Sequence, residues 1–120
     1  MKVNETTMAA IAQLRAASWD DRIDLMFDYL ATTNKERNEL AAKLFVGVGS
    51  SIVPRLVSEA ISRGKGAPHR IRLLDIVIQI GAPLAVDEWM NLLTATNLFG
   101  ESVRQKIVEV LARLRHARGD

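Results

Sequence analysis

The residues with most to say about chemistry are the cations between positions 63 and 72. Arg63, Lys65, His69, Arg70 and Arg72 follow one another with no acid between them, and a row of guanidinium and ammonium groups suits phosphate oxygens. Arg70 and Arg72 fall in the first turn of an expected helix, where the macrodipole disfavours positive charge, so each needs an anion nearby. Arg104 recurs 34 residues after Arg70. If the helices between them stack as repeats, Arg70 and Arg104 meet on one edge, joined by Lys106, Arg113, Arg115 and Arg118. The candidate binding edge is therefore Arg63, Lys65, Arg70, Arg72 and Arg104. The plainer account of the same residues is a solvated basic face, with Arg115 and Arg118 suited to the C-terminus of the last helix. Aromatic residues that would stack bases are not interleaved with the row, which weighs against single-strand binding.

Other reactive residue types are sparse. His69 and His116 lie 47 residues apart, with no HExxH, cysteine cluster or acidic calcium loop around them, so no metal site is expected. His69 follows Pro68 at a helix start and reads as an exposed turn residue. Gly64-Lys65-Gly66 lacks the spacing of a phosphate loop and reads as a turn. Asp20-Asp21 and Asp87-Glu88 fall in first turns, where carboxylates favour the positive end of a helix; capping accounts for them better than acid and base catalysis. Trp89 is in phase with core positions and is expected inside, while Trp19 either staples the first helix or stands exposed. No catalytic residue, no cofactor and no small-molecule substrate are indicated.

The elements that must position these residues follow from bulk properties. The chain has 120 residues, 48% hydrophobic and 25% charged, a balance that folds and is too apolar for intrinsic disorder. Its length matches one domain with a real core. With no cysteine, disulfides and thiolate metal sites are excluded, and the cytoplasm is the expected compartment. No run of about 18 apolar residues exists to span a bilayer, and the start lacks a signal-peptide core. Net charge is +2, but unevenly placed: residues 1 to 34 hold three Lys or Arg against five Asp or Glu, and the remainder thirteen against nine.

Helical periodicity runs throughout, without the period-two alternation of strands, so the fold class is all-α with seven helices. A cap helix is expected at about 5 to 17. A second follows Ser18 to about 31, with Ser18 as N-cap. The third spans 35 to 48 and stops at Gly49. The fourth opens at Ser50 or Ser51, with Pro54 in its first turn, and reaches about 63. The fifth runs from Ala67-Pro68 to Ile80-Gly81, the sixth from 85 to 96, and the seventh from 102 to about 117, with Ser102 and Gln105 as a capping box.

These helices carry a weak internal repeat. Ile23, Met26, Phe27 and Leu30 align with Val53, Leu56, Val57 and Ala60 and then with Val86, Trp89, Met90 and Leu93, at offsets of 30 and 33. Ala41, Leu44, Phe45 and Val48 align with Leu73, Ile76, Val77 and Ile80 and then with Ile107, Val110, Leu111 and Leu114, at offsets of 32 and 34. Leu111 is expected in the core, so that Leu111→Ala would cost roughly 2 to 5 kcal/mol. Two interleaved series with one period mean one helix pair repeated three times, at about 20–49, 50–81 and 85–115, in a single domain spanning 1–120.

The middle repeat resembles the HEAT-repeat family. Ile52-Val53-Pro54-Arg55-Leu56-Val57 is similar to its first helix with an early proline, and Arg70 through Ile80-Gly81 to its second helix, which opens near Arg and closes on Ile-Gly. The family's Asp position reads Thr32, Ser62 and Ala95 here, so its Asp-to-Arg ladder is missing, and the last repeat has Arg115 where the Gly would stand. The resemblance implies a short right-handed α-solenoid. Such folds host several functions. The expectation is a non-catalytic protein-binding or scaffold module that presents a solenoid face to a protein partner or to a second copy. A nucleic-acid phosphate-backbone binder using the basic edge is the alternative. An enzyme related to HEAT-like DNA glycosylases or lyases finds no matching catalytic position.

Overall fold

The computed structural model describes residues 5–62 and 66–114. They form seven α-helices: α1 (Glu5–Ala16), α2 (Trp19–Ala31), α3 (Lys35–Val48), α4 (Val53–Ile61), α5 (Ala67–Ile80), α6 (Val86–Ala95) and α7 (Glu101–Arg113), with a 3-10 turn at Ser50–Ile52 before α4. Among the described residues no helix is long and apolar enough to cross a membrane.

The stops and starts have local causes. Ser18 accepts the Asp21 N–H at 3.3 Å and caps α2. Asn34 does the same for α3, accepting the Arg37 N–H at 2.9 Å. Gly81 closes α5 in the left-handed region at φ 71°, donating its N–H to the Val77 carbonyl at 3.1 Å. Gly49 after α3 also has positive φ, 87°, but with ψ −156° it turns the chain into the 3-10 segment without forming a left-handed cap. Pro54 and Pro68 sit in the first turns of α4 and α5, where a missing N–H leaves nothing unsatisfied. The expected capping box of α7 does not form: the helix begins at Glu101 with Gly100 as N-cap, and Gln105 donates instead to the Glu101 carboxylate at 3.1 Å. At α6 it is Glu88 that caps, accepting the Ala85 N–H at 3.2 Å. Helices α4 and α7 end sooner than expected, at Ile61 and Arg113.

The chain divides into two compact units, one through Gly47 and one from Val48 onward. In the first, α2 packs on α1 and buries Ile23, Met26, Phe27, Tyr29 and Leu30. The Phe27 and Phe45 rings meet at 4.8 Å and 50°, tying α3 to α2. The Tyr29 hydroxyl donates to Gln13 Oε1 at 2.6 Å and lies 3.2 Å from the Ala10 carbonyl oxygen, so its buried polar tip is satisfied by α1.

In the second unit α4 lies against α5 and α6, α5 also against α7, and α6 against α7. The core is Val53, Leu56, Val57 and Ala60 from α4, Leu73, Leu74, Ile76 and Val77 from α5, Leu84, Leu92 and Ala95, and Val103, Ile107 and Val110 from α7. Most aligned apolar positions are inside, but Leu111 is only half-buried and Leu44 is exposed at the surface of its helix. The large departure is α6. Val86, Met90 and Leu93 are 46%, 51% and 48% exposed and Trp89 is half-buried, whereas Leu92 and Ala95 fill the core. With about 100° per residue, Val86, Trp89, Met90, Leu92, Leu93 and Ala95 occupy most of the circumference of this helix, so its own pattern does not fix which side turns inward.

Candidate interaction surface

Arg70 shows how the basic residues are used. It is the fourth residue of α5, and a helical side chain leans back toward its own N-terminus, where the preceding helix has just ended. The guanidinium donates at 2.6 Å to the Ala60 carbonyl, one of the last carbonyls of α4 with no partner inside its own helix. Its Cζ sits over the Phe99 ring, 4.0 Å from the ring centre. Arg70 is 6% exposed, and burial lowers its pKa from the usual range. The anion that Arg70 requires is thus supplied by the negative end of α4 together with an aromatic face, in place of the missing Asp. Arg70 does not stand on an exposed edge.

The same position does the same work elsewhere. Arg22, fourth in α2, donates through Nε to the Leu14 and Ala17 carbonyls at 2.7 and 3.1 Å and through its terminal nitrogen to the Arg15 carbonyl at 3.2 Å, closing the end of α1. Asn38, fourth in α3, donates to the Tyr29 and Thr32 carbonyls at 2.6 and 3.1 Å, closing α2. Arg104 is fourth in α7, but the end of α6 is already served: the Leu93 carbonyl accepts from the Thr96 hydroxyl at 2.7 Å, and the Ala95 carbonyl from the Leu98 N–H at 2.9 Å. Arg104 therefore pairs with Glu101 at 3.1 Å and stays about half exposed. The recurrence of Arg70 and Arg104 reflects one place at the joint between successive helices, which Arg22 and Asn38 share. The sequence signal was a donor at the fourth residue of α2, α3, α5 and α7.

The rest of the candidate edge is dispersed. Lys106 binds Asp75 at 2.6 Å and Glu109 at 3.0 Å, holding α7 to α5. Those hydrogen bonds raise the Lys106 pKa, and Lys106 in turn holds the Glu109 carboxyl below its usual range. Arg113 pairs with Glu109 at 3.1 Å. Arg72 is half-buried on α5. Arg63, Lys65, Arg115, His116 and Arg118 lie outside the described residues. His69, expected at the surface, is 6% exposed, because the first turn of α5 is tucked inward with Arg70.

Two surface features remain. Val86, Met90 and Leu93 are spaced i, i+4, i+7 and form a stripe along one side of α6 about 10 Å long, continued in the chain by Leu98 at 67% exposure. Exposed apolar side chains scattered singly are ordinary, whereas these three are aligned. The sequence reading missed it because it assigned those residues to the core. In the first unit a shallow groove of about 390 Å³ runs beside Gln13, Ala17 and Leu25, walled by Asp21, Asp24 and Asp28 of α2. Trp19, at the start of that helix, is 61% exposed. Among the described residues no group of three or more His, Cys, Asp or Glu is placed to hold a metal ion.

Compared with family models, with curated proteins and with solved structures, the chain matches none.

Proposed function

We propose that this chain is a non-catalytic protein-binding module whose docking surface is the exposed side of α6. The observation that carries the reading is the row Val86, Met90 and Leu93, each about half exposed on a helix that buries Leu92 and Ala95 in the core. A HEAT-like solenoid is the arrangement proposed for the second unit: α4 beside α6 and α5 beside α7, with α4 on α5 and α6 on α7, is how two stacked helix pairs place their members. In such a stack one helix layer is available to a partner.

The phosphate-binding alternative loses support from the same contacts. Arg70 is committed to α4 and Phe99, while Arg104, Lys106 and Arg113 are paired with acids on their own or a neighbouring helix. A photo-reactive residue placed at Met90 tests the docking reading against the same residue at Ala112, which is exposed on α7. The expected result is a discrete protein adduct in cell extract from position 90, absent from 112 and lost when Leu93→Asp is added. Adducts of equal yield at both positions, or from neither, refute it. Salt-sensitive retention of the chain on a mixed DNA and RNA pool would favour the alternative.

A further inference from the structure

We propose that the exposed side of α6 takes a short amphipathic helix from a protein partner, its apolar residues seated on Val86, Met90 and Leu93 and flanked by Lys or Arg. The proposal rests on the reading of α6 as the docking surface and adds the chemistry of the occupant. Three observations set that chemistry. The row is two helical turns long and regularly spaced, which fits the i, i+3 or i+4, i+7 anchors of a second helix laid along it.

Charge along the segment that carries the row is one-sided. No Lys or Arg occurs between Arg72 and Arg104, whereas Asp75, Asp87, Glu88 and Glu101 do. Asp75 and Glu101 are paired with Lys106 and Arg104, and Glu88 is engaged by the Ala85 N–H, which leaves Asp87, in the first turn of a helix that carries no base, as the charge beside the row. A partner helix with flanking cations gains from that field and one with flanking acids loses.

Area then separates a single helix from a second copy of the chain. About half of each of three side chains is available, on the order of 200 Å², against about 800 Å² per partner in a standard stable interface. A second copy would also bring the same acids to the contact. The surface suits one short helix held at moderate affinity.

The full chain serves as bait for a displayed library of single helices in which the apolar spacing is fixed and the flanking positions vary over Lys, Glu, Gln and Ser. Trp19→Phe leaves Trp89 of α6 as the sole tryptophan and reports the binding of each selected helix by fluorescence. The expected result is enrichment of Lys at the flanks, with affinity falling at least about tenfold when those lysines become Glu and again when the bait carries Met90→Ser with Leu93→Ser. Both positions are exposed, and unchanged circular dichroism of that variant shows the fold is kept. Selection of neutral or acidic flanks on helices that still need Met90 and Leu93 overturns the basic partner and leaves the docking surface standing. Helices indifferent to the double variant, or none selected, overturn both. A wild-type dimer in sedimentation that the double variant dissociates makes a second copy the occupant and overturns the inference while keeping the surface.

Discussion

Replacing Arg70 by Ala separates the two roles this residue can have. If Arg70 were a phosphate contact on a solvated edge, Arg70→Ala would leave stability within about 0.5 kcal/mol of wild type. In the structure it removes a charge-assisted hydrogen bond of 2.6 Å to the Ala60 carbonyl and the cation over Phe99 at 4.0 Å. A hydrogen bond from a charged donor contributes about 1.5 to 3 kcal/mol, and a desolvated cation over an aromatic face up to about 2 kcal/mol. The two share one group and do not add fully, so a loss of about 3 kcal/mol is expected, from the stranded carbonyl as much as from the bond itself. Urea unfolding followed by circular dichroism reads the loss as a lowered midpoint with an unchanged slope. Arg104→Ala, removing a pair that is about half exposed on each side, is the internal control and should change little. Pairing Arg70→Ala with Phe99→Leu gives a coupling of about 0.5 to 2 kcal/mol if the ring contact is real. An Arg70→Ala midpoint equal to that of Arg104→Ala would refute the account of the α4–α5 joint and return Arg70 to the binding edge.

Further outcomes follow from other parts of the fold. Ile107→Ala, at a fully buried position, should cost roughly 2 to 5 kcal/mol and the half-buried Leu111→Ala distinctly less, both read from urea midpoints. Tyr29→Phe should cost about 1 kcal/mol through the lost bond to Gln13. Burial raises the Tyr29 pKa, aided by Asp28 and opposed by Arg37, so absorbance of the sole tyrosine should show its ionisation above the free value near 10. The Lys106 pKa is raised in the fold, so its contribution is present in full below the unfolded value near 10.4 and is lost as pH rises through the folded one. Lys106→Met should therefore lie below wild type at neutral pH and converge with it on the alkaline side. The Glu109 pKa is depressed, so its contribution is present above the unfolded value near 4.3 and is lost as pH falls through the folded one. Glu109→Gln and wild type should converge in acid.

Much of this molecule was legible without coordinates, for physical reasons that are local. Helix identity follows from periodicity, and most boundaries from residues that act within one turn: Ser18 as an acceptor, Pro54 and Pro68 where an N–H is dispensable, Gly81 where φ must be positive. The faces of α2 and α4 were also readable, because each carries its apolar residues chiefly on one side. The failures are where more than one helix decides. α6 is apolar around most of its circumference, and only its packing against α4 and α7 selects Leu92 and Ala95 for the core and leaves Val86, Met90 and Leu93 outside. Arg70 and Arg104 hold the same place in their helices, yet the first is buried against the open carbonyls of α4 while the second meets an α6 terminus already closed by Thr96 and Leu98. Sequence determined the elements and the donors at the fourth residues of α2, α3, α5 and α7. Tertiary structure decided which donors find an unsatisfied helix end and which apolar side is left for a partner, because burial and hydrogen-bond satisfaction depend on what the neighbouring helix has left unfilled.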